Sequence, residues 1–374
     1  MKHLKIFVSE FGNSGYASAH RYNALINSFA RHDESIDISV CTSFGNQTEE
    51  NFAISRFWTL NINCRNGNFS FRIIKELIYA FFSVIFLLFD RRKLVLVSVP
   101  NFLSSLIILF ACRQLRIPYC VDVRDLYPDV YKLAGIISGN SIIYKILLKI
   151  TRYQYSKAEY LFVATKGLGA ALEKMDLPKN KILCVTNGFD TEISSSIIKN
   201  SDYINRDIVF HGTLGKMQNF KFIEKIINIL PDYKFTFIGS GPGFNYLKNS
   251  KLSNLLVLDR MSYENVLSIV ASHKIGLCVR QGNWYDKISL PVKIFEYLGL
   301  KLKVVGFPST EFSNDINLIN KIIEIDEFDF ELIGMKLKEM LTTDYTTHDG
   351  VPEYLTRSYQ SDTFREKIML LFKS

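Results

Sequence analysis

The chain is poor in the features that assign a protein most quickly. It has six cysteines, nine prolines and two tryptophans in 374 residues. Cys41, Cys64, Cys112, Cys120, Cys184 and Cys278 include no Cys-x-x-Cys pair, and no histidine stands at zinc spacing from them. That argues against a zinc ribbon or a dithiol redox motif. Most sit among apolar neighbours, as in Ile182-Leu183-Cys184-Val185, and read as buried reduced thiols of a cytoplasmic protein. Twenty glycines exclude collagen, and 48% hydrophobic residues exclude disorder. The longest apolar run, 77–89 (LIYAFFSVIFLLF), falls short of the roughly 20 residues that cross a bilayer. The opening apolar stretch is short and interrupted by Glu10, so it does not read as a signal peptide.

What is present is apolar bulk and positive charge. The length fits two domains or one large one. Forty-five Lys and Arg against 37 Asp and Glu leave +8, which attracts phosphate on a nucleotide, a nucleic acid or a membrane. Basic residues are dispersed and no aromatic RNA-binding signature occurs, which argues against nucleic acid. The run at 77–89 has two readings. One is a buried helix. The other is a helix dipped into an anionic membrane surface, with Arg91, Arg92 and Lys93 on lipid phosphates.

Along the chain, short apolar runs alternate with helical stretches. Strands are expected at 4–9, 36–42, 94–98, 118–122, 161–164 and 182–185, with helices at 17–31 and 102–115. Residues 191–206 are polar, contain Ser-Ser-Ser and read as a linker. A second series follows, with strands at 207–210, 234–238, 255–258, 275–279 and 302–305. The tail, 353–373, reads as a helix with Tyr354, Leu355, Tyr359, Phe364, Ile368, Leu371 and Phe372 as its apolar set. Such alternation predicts parallel sheets covered on both faces, with sites beyond the carboxyl ends of the strands.

Distinctive residues fall at those ends. In Val209-Phe210-His211-Gly212-Thr213-Leu214-Gly215-Lys216 a strand meets a glycine loop carrying a lysine, a phosphate-binding pattern without Walker spacing. Gly239-Ser240-Gly241-Pro242-Gly243 holds Gly-x-Gly at a strand end, but Phe244 stands where a dinucleotide fingerprint has its last glycine. In Ser289-Leu290-Pro291-Val292-Lys293-Ile294-Phe295-Glu296, Pro291 suits a first helical turn and leaves amides for an anion. Glu296 then reads either as an acceptor for sugar hydroxyls or as a solvated helix residue. Asp122-Val123-Arg124-Asp125 leaves a first-half strand with a charge cluster too polar for core, without the convergent histidines of a metal site.

The ordered set of a first glycine loop (Gly12, Gly15), DVRDLYPD, TNGFD, HGTLGKMQ, FIGSGPG and LPVKIFEYLGLKLKVV resembles the family 4 retaining glycosyltransferases of the GT-B fold. Within them it resembles the bacterial surface-polysaccharide type, of O-antigen or capsule biosynthesis. The resemblance spans nearly the whole chain. It implies an α/β chain of two Rossmann-like domains facing across a cleft: an acceptor domain, 1–190, and a donor domain, 191–352. The helix at 353–374 crosses back to the first. The implied catalytic residues are Lys216, Glu296 and Asp122. The nucleotide-sugar donor, expected to be a UDP-sugar, falls to Gly212, Thr213, Gly215, Gly239, Gly241, Arg280, Ser289, Leu290, Pro291 and Lys293. The acceptor, an undecaprenyl-linked saccharide, falls to Gly12, Gly15, Tyr16, Arg124 and Asp125. No metal is required, and the protein is expected on the inner face of the cell membrane.

Three positions depart from the family pattern. Ile288 replaces the first glutamate of Glu-x7-Glu. Thr213 stands where Gly-Arg-Leu has its arginine. The strand at 94–98 leads into Val99-Pro100-Asn101 without a histidine. The rival readings are a GT-B sugar-nucleotide 2-epimerase, which needs no acceptor, and a non-enzymatic membrane-associated binding protein.

Overall fold

The computed structural model describes residues 2–12, 17–32, 36–47, 54–64, 68–89, 94–197, 199–204, 206–215, 218–307, 322–324, 329–342 and 352–373. The chain divides into two compact units, Met1–Thr186 with Ser358–Ser374, and Asn187–Arg357.

The first unit runs β1 (Lys2–Phe11), α1 (Ala17–Arg31), β2 (Ile36–Gly45), β3 (Ile54–Thr59), α2 (Phe69–Leu88), β4 (Leu94–Ser98) and α3 (Phe102–Gln114). It continues through β5 (Tyr119–Val123), α4 (Asp129–Leu133), α5 (Ile142–Ser156), β6 (Leu161–Val163), α6 (Lys166–Glu173) and β7 (Ile182–Cys184). Its seven strands are all parallel, in the order β3-β2-β1-β4-β5-β6-β7. The second unit contains α7 (Thr191–Ser196), β8 (Ile208–His211), α8 (Phe220–Ile229), β9 (Phe235–Ile238), α9 (Pro242–Lys248), β10 (Leu255–Leu258) and α10 (Tyr263–Ala271). Then come β11 (Ile275–Val279), α11 (Val292–Gly299), β12 (Lys303–Phe307), β13 (Ile322–Glu324) and α12 (Phe330–Thr342). Its sheet is also parallel, ordered β10-β9-β8-β11-β12-β13. The last helix, α13 (Arg357–Leu370), lies almost wholly within the first unit.

Alternation along the strands explains both layers. In β1, Leu4, Ile6 and Val8 join one core with Tyr22 and Phe29 of α1 and Phe364 and Ile368 of α13. The opposite side of β1 presents Lys5 and Phe7 to α2: the buried Lys5 ammonium donates to the Phe86 carbonyl at 2.6 Å, and the Phe7 and Phe86 rings meet edge to face. In the second unit Ile208, Phe210, Phe235 and Phe237 face α8 and α12, while Val209, Ile238 and Cys278 face α10 and α11.

Each sheet reverses its order once, between β1 and β4 and between β8 and β11. A parallel sheet leaves a crevice outside the carboxyl ends of its strands at such a reversal, and ligands bind there.

Several expectations are corrected. Residues 191–206 are not a plain linker. Asp190 caps α7 by accepting from the Glu192 and Ile193 amides at 3.1 Å, and a 3-10 turn follows at Ser201–Tyr203. Five cysteines are buried, but Cys184 is exposed. The run at 77–89 belongs to a longer helix, α2, started by Asn68 accepting from Phe71 N. That helix is not buried all round: only Glu76, Tyr79, Ala80, Ser83, Phe86 and Leu87 are inside. In the tail, Tyr354 and Tyr359 are exposed. Strands β3 and β13 and helix α5 were not expected.

Glu76 fixes α2 against α3. Its carboxylate accepts from Leu103 N at 2.9 Å and Ser104 N at 3.4 Å, the open amides of the first turn of α3. Burial pushes this carboxyl up to about 7, more than the two amides pull it down. The folded state therefore binds the proton more tightly than the unfolded one, so stability is lost as pH rises from about 4.5 through 7. A shift of this size is worth about 3 kcal/mol. Glu76→Gln should recover much of it at pH 8 and gain nothing at pH 4. Urea titrations at the two pH values check this, and an equal effect at both would contradict it.

Candidate functional site

The carboxyl ends at the β8/β11 reversal gather most of the expected donor-binding residues. Two glycine loops interlock there. Gly212 N donates to Ile238 O, Leu214 N to Ser240 O, and Gly243 N to Leu214 O, each at 2.9 Å. Gly239 and Gly241 have φ of +150° and +136°, and a Cβ on them would lie 1.9 Å from Gly212 O and 2.5 Å from Leu214 O. Close backbone approach therefore requires both glycines. The loop end is held by Gly215 N donating to Gln218 Oε1, while Gln281 donates to the Gln218 carbonyl. Thr213 is exposed. Lys216 lies outside the described residues, as do Gly15 and Tyr16.

The β11–α11 connection is organised by Asp286, which is fully buried. It accepts from Arg280 Nε at 2.7 Å, from Gly282 N at 3.0 Å and from Asn283 N at 3.1 Å. The Arg280 guanidinium also reaches Ser289 Oγ at 3.2 Å. Arg280 and Ser289 thus hold the loop in shape. Leu290 packs on the core, and Pro291 precedes α11, whose first amides have no side-chain cap. An uncapped start presents N–H groups and the positive end of the helix dipole.

Lys293 sits in that first turn. Its ammonium lies 3.6 Å from the centre of the Phe210 ring, and a Cβ on Gly212 would be 3.6 Å from Nζ. The side chain is half-buried. Its ammonium has no hydrogen-bonding or ion-pairing partner among the described residues. Burial, with the nearby Arg280, lowers Lys293 to about 8 against the smaller raising effects of Cys278 and Glu296.

Glu296, one turn on, is not solvated. Tyr263 Oη donates to Oε1 at 2.7 Å, and His211 Nε2 stands 3.2 Å from Oε2, at ion-pair distance without hydrogen-bond alignment. Burial opposes the charge, but His211, Tyr263 and Arg357 together hold this carboxyl down at about 2. Tyr297 Oη accepts from His211 N at 3.2 Å and fixes the strand end. His211, Tyr263 and Asp286 are participants that motif reading did not select. His211 lay inside a quoted motif; Tyr263 opens a different helix, and nothing local marks it.

In the first unit the charge cluster divides. Asp122 is fully buried, correcting its reading as too polar for core. Its carboxylate accepts from Arg21 Nε at 3.1 Å, Arg21 Nη2 at 2.9 Å and Tyr22 Oη at 3.0 Å. Arg21 Nη1 donates onward to the Val185 and Thr186 carbonyls at 2.8 and 3.0 Å. Arg124 and Asp125 are half-buried beyond it. Gly12, at φ +67°, is held close to Asn46: a Cβ there would lie 1.9 Å from the Asn46 carbonyl. In TNGFD, Phe189 N donates to Leu355 O and Arg357 N to Phe189 O, while Asp190 pairs with Arg357 at 3.2 Å. That motif therefore ties the incoming chain of the second unit to its outgoing chain. Among the described residues no group of three or more His, Cys, Asp or Glu could hold a metal ion.

No protein-family profile matches the chain. A Pseudomonas aeruginosa protein described as "Probable glycosyltransferase WbjE" is 26% identical over 142 residues; the match spans 35% of this chain and 36% of that protein. UDP-GlcNAc 2-epimerase from Neisseria meningitidis, solved with UDP-GlcNAc, superposes with a TM-score of 0.62 at 14% identity, over 100% of both chains. Anabaena Alr3699/HepE in complex with UDP-glucose gives a TM-score of 0.61 at 12% identity, again over 100% of both. At these identities the likeness assigns the fold: two parallel-sheet Rossmann-like units of the GT-B class.

Proposed function

We propose that the chain is a retaining glycosyltransferase that moves a sugar, N-acetylated in this proposal, from a UDP-sugar to a lipid-linked saccharide of surface-polysaccharide assembly. The observation that carries this reading is Lys293. A half-buried ammonium that rests on the Phe210 ring with no hydrogen-bonding or ion-pairing partner among the described residues, beside a glycine at a sheet reversal and at an uncapped helix start, suits a compact anion. Similarity to proteins solved with UDP-sugars supports a nucleoside diphosphate as that anion.

In this reading Lys293 and the first amides of α11 take the donor diphosphate, with Lys216, next after Gly215 in the sequence, a second cation. Glu296 accepts from a ribose hydroxyl, and His211 and Tyr263 keep it charged and oriented. The bond from sugar C1 to the β-phosphate oxygen breaks, and its electron pair stays on the phosphate. The acceptor hydroxyl oxygen bonds C1 on the same face, and its proton passes to the departing phosphate oxygen. Charge develops on the diphosphate as the bond breaks, so fixed positive groups there lower the barrier. Residues near Gly12, Arg124 and Asp125 take the acceptor. No residue is assigned as a base, because the leaving group accepts the proton.

Similarity to UDP-GlcNAc 2-epimerases favours a second reading, in which the same donor site serves an epimerase. Both readings require nucleotide binding. A thermal-shift series with UDP, UDP-sugars and other nucleoside diphosphates should show stabilisation by mass action. Failure of every nucleoside diphosphate to raise the melting temperature would overturn both. Glu296→Gln should weaken UDP about tenfold, roughly 1.4 kcal/mol, while leaving inorganic pyrophosphate affinity unchanged. Equal losses for the two ligands by calorimetry would remove the ribose assignment.

A further inference from the structure

We infer that the outer face of α2, α3 and α5 docks on an anionic lipid bilayer. More than half of the large apolar side chains exposed in the described chain lie on these three helices. They cover one side of the first unit's sheet, with α2 packed on α3 and α3 on α5. On a surface helix the outward side should be polar. Here it is apolar at helical spacing: Ile74, Ile78 and Phe81 on α2, Ile107 and Phe110 on α3, and Ile143, Ile146 and Ile150 on α5. Phe81 is 63% exposed, Phe110 55% and Ile142 75%. Exposed apolar side chains spread over three helices packed on one another mark an interaction site.

Its charge selects the occupant. The three helices contain one acidic residue, Glu76, and it is buried against α3. On α5, Lys149 stands three residues from Ile146 and four from Tyr153, on the apolar side, with Lys145 and Arg152 along the same edge. Arg152 pairs with exposed Asp176 at 2.6 Å, while Lys145 and Lys149 are exposed with no partner given by any described residue. Arg113 of α3 lies 4.1 Å from the centre of the half-exposed Tyr153 ring, bridging the two helices. Lysines and arginines edging an apolar stripe, with an aromatic ring among them, suit the headgroup layer of an anionic membrane. A second copy of the chain suits this face poorly, because a two-fold contact would set Lys145 and Lys149 against their equivalents with no acid between. None of the described helices is long and apolar enough to cross a membrane, so this is contact in the plane.

The inference does not depend on the proposed reaction. The test is sedimentation of the full chain with vesicles of phosphatidylcholine alone or with phosphatidylglycerol added. Binding should be at least tenfold tighter to the anionic vesicles and weaken as salt rises from 0.05 to about 0.5 M. The triple variant Phe81→Glu, Phe110→Glu, Ile143→Glu, at exposed positions, should lose vesicle binding while keeping its circular dichroism and melting temperature. Lys145→Gln with Lys149→Gln should lose only the preference for anionic vesicles. Undiminished vesicle binding by the triple variant would overturn the inference. So would a wild-type dimer that binds no vesicles and dissociates on the triple substitution.

Discussion

Lys293→Met should raise the melting temperature of the protein and abolish its response to UDP. In the folded chain the ammonium loses hydration at the β8 strand end and gains the face of the Phe210 ring but no hydrogen-bonding or ion-pairing partner among the described residues. Holding it at about 8, below the usual lysine value of 10.5, means that the folded state binds that proton more weakly than the unfolded one. Stability is therefore reduced while the group is charged and recovers as pH rises from 8 to 10.5. Replacing it with an apolar chain of similar length removes the penalty at pH 7, a gain of about 1–3 kcal/mol. For a domain of 150–250 residues that is about 2–4 °C per kcal/mol. The same substitution removes the ammonium that the proposed reading places on the diphosphate, so UDP affinity should fall at least a hundredfold, roughly 2.7 kcal/mol. The pH dependence is also directional. A bound diphosphate raises the lysine again, so UDP binding takes up a proton above pH 8 and weakens toward pH 10. Calorimetry in buffers of different ionisation enthalpy measures that uptake. A variant that melts earlier and still binds UDP would show the ammonium to be an ordinary packing element.

Asp122→Asn should destabilise the first unit by about 3–5 kcal/mol, the cost of leaving a buried guanidinium without its charge partner. Asp122 and Arg21 are both buried, joined through two oxygens, and Arg21 spans on to the Val185 and Thr186 carbonyls. The pair therefore ties α1 and β5 to the last strand end of the unit. Unfolding of the first unit should move to lower denaturant, while UDP affinity in the second unit stays unchanged. Replacing both partners, Arg21→Met with Asp122→Leu, should restore much of the loss, because no uncompensated charge remains. An Asp122→Asn protein of normal stability with lost turnover would return this carboxylate to catalysis.

Asp122 shows where sequence reading stops. A run of Asp, Arg and Asp after a strand gives no sign of Arg21, a hundred residues earlier, and its chemistry depends on that partner. Glu296 is similar: its motif marked the residue, but its charge state is set by His211 and Tyr263 on other elements. Strand 275–279 was legible to the residue, because a strand buried on both faces reads as an unbroken apolar run, and the half-buried edge strand 255–258 carries the same unbroken run. β3, with Arg56 exposed at a sheet edge, and the three-residue β13 carry too little apolar pattern. Helix α5 does not follow the usual inside–outside pattern: it buries Thr151, Gln154 and Tyr155 while Ile142, Ile143, Ile146 and Ile150 are exposed. The resemblance gives the glycines at 239 and 241 to the donor, yet their immediate physical need is the Gly212–Leu214 backbone.

The central claim is tested most directly by incubating the protein with UDP-N-acetylhexosamines, with and without vesicles carrying an undecaprenyl-diphosphate saccharide, and following donor and products by NMR. The account predicts that UDP is released and a new glycosidic bond appears only with the acceptor, with the anomeric configuration of the donor retained. Conversion of the donor to its 2-epimer without acceptor, or transfer with inversion, would contradict it.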